Sequence, residues 1–134
     1  MTKQEIIDKV KSLSLPTGEY VVFGAAPMAI AGLRSANDID MLVSIELWQS
    51  LQAAGWVELD KGGKDKPLNY DVFEAHNNWD FSSYSPTLEH LLASSNVVDG
   101  VPFASLEEVR KWKAAWGRPK DMQDVALIDS YTSK

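Results

Sequence analysis

The stretch from Phe23 to Asp40, FGAAPMAIAGLRSANDID, constrains this chain more than any other. An apolar run, Tyr20-Val21-Val22-Phe23, reads as a short buried strand that ends at Gly24, a residue type able to turn where others are strained. Pro27 suits the first turn of a helix, where its missing N–H would have no partner anyway. That helix runs through Met28, Ala29 and Ile30 to about Leu33. Arg34 follows, and Ser35-Ala36-Asn37 leads into a second strand, Ile39 to Val43, apolar on both faces beyond Asp38 and Asp40. Strands of that kind lie inside a sheet covered on both sides.

Strand side chains alternate, so Asp38 and Asp40 point one way and Ile39 the other. Two carboxylates so close repel each other unless a cation lies between them. Mg2+ is the natural candidate, because it takes hard oxygen ligands and completes its shell with water and phosphate oxygens. The Gly24 turn and the helix start after it offer backbone N–H groups to phosphates. Arg34 can neutralise phosphate charge. A third carboxylate on a neighbouring strand would let an acceptor hydroxyl be deprotonated for attack on an α-phosphate. Asp71, within the strand-like run Leu68 to Ala75, is the first choice for that position. Glu74, on the other side of that strand, and Asp80 are weaker choices. An Asp-x-Asp pair alone is more often a solvated strand start or a helix cap; the turn, helix and arginine before it change the weighting.

With 134 residues, the chain reads as one domain spanning 1–134. It is 45% hydrophobic and 24% charged, which places it among globular chains. A formal net charge of -6 argues against general affinity for nucleic acid or an anionic membrane. The absence of cysteine excludes a disulfide framework and a thiolate metal site. No signal-like apolar segment and no run of membrane-spanning length is present, so a cytoplasmic location is expected.

The other elements follow from periodicity and punctuation. Ile6, Ile7, Val10 and Leu13 share one face of a helix over residues 3 to 13. Ser44 can cap a helix from Glu46 to Ala54, stopped by Gly55. Trp56 to Leu59 is a weak strand, and Lys61 to Lys66 is a polar loop. The segment from His76 to Ser85 has no clear period; Pro86 to Ala93 is helical. Asp99-Gly100 signals a tight hairpin between Val97 and Phe103. The order of strands and helices argues for an α/β or α+β layer domain.

Ser105 and Glu108 form a capping box for a helix to about Trp116, stopped by Gly117. Pro119 opens the last helix, where Met122, Val125 and Ile128 recur along one apolar face widened by Ala126 and Leu127. Arg118, Lys120, Asp121 and Asp124 could wall a phosphate site, and Lys113 could reach it. The plainer alternative is helix-end electrostatics and pairing on a solvated face. Trp112 and Trp116 share a helical face and read first as core packing, second as a partner surface. Trp48, Trp56 and Trp79 read as core or core edge. His76 and His90 lack ligand spacing for zinc.

Gly24-Ala25-Ala26, Arg34 and Asp38-Ile39-Asp40 together resemble the signature of the nucleotidyltransferase fold superfamily. The run from Leu106 to Lys113, then Gly117-Arg118-Pro119-Lys120-Asp121 and Asp124, is similar to the end of its small bacterial members, the minimal nucleotidyltransferases and relatives of abortive-infection toxins. The resemblance covers roughly residues 20 to 131. It implies a mixed β-sheet with helices packed on it, and Asp38, Asp40 and Asp71 as Mg2+ ligands. Asp71 would also activate the acceptor hydroxyl, with Gly24 and the amides after it at the triphosphate of an NTP such as ATP. Ala25 stands where active members carry Ser or Gly, so no hydroxyl binds phosphate there. The expected activity is NMP transfer from an NTP to a hydroxyl of a protein, small molecule or RNA. A nucleic acid enters only as acceptor. The alternative is a non-catalytic nucleotide- or partner-binding module, such as a toxin–antitoxin component. Larger members add a helical domain, so a protein partner or a second copy is expected here.

Overall fold

The computed structural model describes residues 1–59, 66–78 and 84–133. The chain is α+β, with one seven-stranded mixed sheet carrying helices on both faces. In chain order the elements are α1 (Lys3–Ser12), β1 (Tyr20–Phe23), α2 (Ala26–Ile30), β2 (Ile39–Val43), α3 (Ile45–Ala53), β3 (Val57–Glu58) and β4 (Leu68–Tyr70). Then come β5 (Phe73–His76), α4 (Leu88–Ala93), β6 (Asn96–Val98), β7 (Val101–Phe103), α5 (Leu106–Trp116) and α6 (Pro119–Thr132). The spatial order of strands is β3-β4-β5-β2-β1-β7-β6. β1 and β2 pair antiparallel, while β2 pairs parallel with β5 and β1 pairs parallel with β7. The two strands around the Gly24 turn are therefore central.

Alternation sorts their side chains into two cores. Tyr20, Val22, Ile39, Met41, Val43, Phe73 and Ala75 pack on one face with Ile6, Ile7 and Val10 of α1. Val21, Phe23 and Leu42 pack on the other with Leu91 of α4, Val109 and Trp112 of α5, and Ile128 of α6. Asp40, Glu74 and His76 alternate onto this second face. Thr2 and Glu5 form a capping box on α1, and Ser44 and Ser105 cap α3 and α5 as their positions suggest. Asp99 and Gly100 both have positive φ, the turn geometry that the Asp-Gly pair favours.

Four sequence expectations are corrected. Leu68 to Ala75 is not one strand. It divides into β4 and β5, because Asp71 adopts a left-handed conformation (φ 52°) and turns the chain back so that Tyr70 pairs with Phe73. The helix after Pro27 ends at Ile30 rather than Leu33, giving a single short turn. On α6 the inward stripe is Asp121, Asp124, Val125 and Ile128, while Met122, Ala126 and Leu127 are exposed. Trp112 is buried, but its neighbour Trp116 is 43% exposed. The loop read at 61–66 lies outside the described residues except for Lys66, as do Trp79 and Asp80.

Candidate metal centre

Register builds this site. Phe23 opposes Asp40 across the antiparallel β1–β2 pair, and Asp40 opposes Glu74 across the parallel β2–β5 pair. Two residues further along the same ladder, Leu42 opposes His76. Because side chains repeat every second residue on one face, Asp40, Glu74 and His76 converge. Each offers a ligand atom, and those atoms all lie within 4.8 Å of one another. His76 Nε2 stands 3.7 Å from Asp40 Oδ1, with both side chains largely buried. Two carboxylates and an imidazole at such separations fit one divalent cation with positions left for other ligands.

Gly24 is needed where it is for two reasons. Its φ is +72°, and a Cβ there would fall 2.4 Å from Asp40 Oδ2. The bare backbone of the turn therefore lies directly against the carboxylate. Ala25, the N-cap of α2, makes no side-chain cap hydrogen bond. With only the turn Ala26–Ile30 behind it, little helix dipole is added at this point.

The predicted site residues do not all gather here. Asp38 is exposed one residue before β2, on Asp40's alternation but outside the three-residue cluster. Asp71 is at the β4–β5 turn, half exposed, with its Oδ2 3.3 Å from Lys9 Nζ. The position sought for it beside Asp40 is occupied by Glu74, the residue ranked behind it from sequence. Once the strand is broken at Asp71, Phe73 takes the apolar face and Glu74 the face of Asp40. Reasoning from sequence also passed over His76. Spacing between histidines is uninformative when the other ligands come from an adjacent strand. The separation of two between Glu74 and His76 was the usable signal.

The basic residues expected at phosphates are engaged with acids of α6. Arg34 Nη1 donates to Asp124 Oδ2 at 2.8 Å, and Lys113 Nζ is 2.9 Å from the same oxygen. Lys113 also lies 3.6 Å from Asp121 Oδ1, while Arg118 Nε donates to Asp121 Oδ2 at 2.6 Å and its guanidinium stacks 3.4 Å from the Trp116 ring. Lys113, Asp121 and Asp124 are buried, so these acids form neither a solvated face nor an open phosphate wall. Burial pushes the Asp121 carboxyl up, but hydrogen bonds and charge from Arg118, with the charge of Lys113, outweigh it and hold it below the ordinary aspartate range. The network ties the segment before β2 to α5 and α6. Lys120 is exposed on the first turn of α6.

A second polar group lies beyond Phe23, whose ring is 6.5 Å from that of Tyr84. Glu108, buried on α5, contacts His90 of α4 and has Lys111 Nζ 3.3 Å from its other oxygen. The Glu108 side chain is thus drawn to these partners rather than back to Ser105. Burial pushes the Tyr84 phenol well above its ordinary value, and the charge of Glu108 adds to the effect. No helix among the described residues is long and apolar enough to cross a membrane. Comparison of the chain with protein-family models, with curated proteins and with solved structures gave no match.

Proposed function

We propose that the chain is a divalent-metal-dependent nucleotidyltransferase-like protein, moving an NMP from an NTP to a hydroxyl of a protein, small molecule or RNA. The observation that carries this reading is the register that sets Asp40 beside Glu74 with the Gly24 backbone against Asp40. Mg2+, or a comparable ion, would neutralise phosphate charge and lower the cost of charge development at the α-phosphorus. Asp40 and Glu74 would hold it, with Asp38 at the outer edge. Glu74 accepts the proton of the acceptor hydroxyl. The acceptor oxygen bonds to the α-phosphorus as the bond from that phosphorus to the bridging oxygen breaks, and pyrophosphate leaves. Gly24 leaves room for the Asp40 carboxylate beside the turn, whose backbone N–H groups would meet the phosphates.

Calorimetry with ATP, GTP, CTP and UTP, each with Mg2+ or Mn2+, tests the reading. Binding should require the metal and disappear in the Asp40→Asn/Glu74→Gln double variant; no binding of any NTP with either ion would refute it. One observation favours the second reading, a non-catalytic nucleotide- or partner-binding module: Arg34, Lys113 and Arg118 are already paired with Asp121 and Asp124. NTP binding without transfer of labelled NMP to lysate protein or RNA would select the module.

A further inference from the structure

We propose that His76 is a metal ligand, and that the ion of this centre is Mn2+, a first-row transition ion, in preference to Mg2+. The inference rests on the proposed metal centre but assigns a residue and an ion that the carboxylates alone do not. Mg2+ binds reluctantly to anything but oxygen and usually keeps several waters. First-row transition ions gain from an imidazole donor, and among them Mn2+, though the weakest binder of the row, is the one that an oxygen-rich set with two carboxylates suits.

The geometry makes the nitrogen donor an integral part of the cluster. His76 is two residues beyond Glu74 on β5, on the same face, and its ligand atom lies within 4.8 Å of those of both Asp40 and Glu74. Its side chain is only 9% exposed. Leu42, opposite it in the register and 3% exposed, closes the inner end of the site with apolar surface. An imidazole in that setting is held by packing and faces little competition from water.

The test uses the full chain stripped with a chelator and reloaded with Mn2+, monitored by electron paramagnetic resonance. Echo-envelope spectra of the bound ion should carry the nitrogen modulation of a directly bonded imidazole. An equal concentration of Mg2+ should leave the Mn2+ in place. The His76→Gln variant, checked for folding by circular dichroism, should lose the modulation and bind Mn2+ at least roughly tenfold more weakly, the low end of what loss of even an outer-shell partner brings. The wild-type spectrum is decisive even if that variant does not fold. Bound Mn2+ without nitrogen modulation, modulation that persists in folded His76→Gln, or displacement by equal Mg2+ would each overturn the proposal. Failure to bind Mn2+ at all would overturn it, whereas NTP binding that still requires Mg2+ would leave the metal-dependent function standing. Modulation in a chain with no affinity for any NTP would uphold the His76 assignment while removing the nucleotidyltransferase reading.

Discussion

Replacing Gly24 by alanine adds one methyl group where the chain has room for none. Two effects are separable. The first is backbone strain: at φ +72° a Cβ meets its own carbonyl, which opposes folding by roughly 1–2 kcal/mol. The stiffer unfolded chain returns about 0.4–1 kcal/mol of that. The second is contact. The new Cβ would lie 2.4 Å from Asp40 Oδ2 and 3.1 Å from Asp40 Cβ and Cγ, so the carboxylate must swing away. Overpacking of this kind adds about 1–3 kcal/mol. Gly32 supplies the control, because its φ is +79° and nothing lies within 4 Å of a Cβ there. Gly32→Ala should lower the melting temperature by roughly 3–5 °C and Gly24→Ala by at least twice that, given about 1 kcal/mol of strain and the sensitivity of a domain this size. Only Gly24→Ala should also lose divalent-ion binding in calorimetry, since only it displaces Asp40. Equal melting losses in the two variants, with ion binding intact in both, would refute the account of Gly24 as the residue that positions Asp40.

Three further outcomes are expected. Lys113→Met should destabilise the fold by about 2–4 kcal/mol in urea titration, somewhat under the usual effect of breaking a buried pair because Arg118 and Arg34 still serve Asp121 and Asp124; a change below measurement error would show the network to be inert. Asp71→Asn should leave both divalent-ion binding and stability nearly unchanged, since its Lys9 pair is exposed and asparagine tolerates the left-handed turn; loss of ion binding would restore Asp71 to the site. Stability should also fall in acid through Asp121. Its folded pKa lies below the unfolded value, so its contribution is complete above about pH 4 and is lost as pH drops through the folded pKa. Asp121→Asn should flatten that part of the stability profile, and an unchanged acid limb would count against the assignment.

Much of the fold was legible because it is written locally. The period of Ile6, Ile7 and Val10, the caps at Ser44 and Ser105, and the Asp99-Gly100 turn each depend on neighbours a few residues away. The conflict came where distant partners overrode local preference. A run such as LNYDVFEA favours a continuous strand, yet the hairpin breaks it at Asp71 so that Tyr70 can pair with Phe73. The spacing of three on α6 was real, but the buried face is turned toward Asp121 and Asp124 because Lys113, Arg34 and Arg118 meet them there.

The candidate site divides in the same way. That a glycine turn precedes a strand entered through two aspartates can be read directly from neighbouring residues, since alternation and glycine's conformational freedom are local properties. Which acid stands beside Asp40, that His76 lies with the pair, and that Arg34 and Lys113 serve an internal ion network follow from the packing of distant segments. Those choices depend on strand register and helix placement. A shift of one residue in register would send Glu74 and His76 to the opposite face while leaving the sequence unchanged.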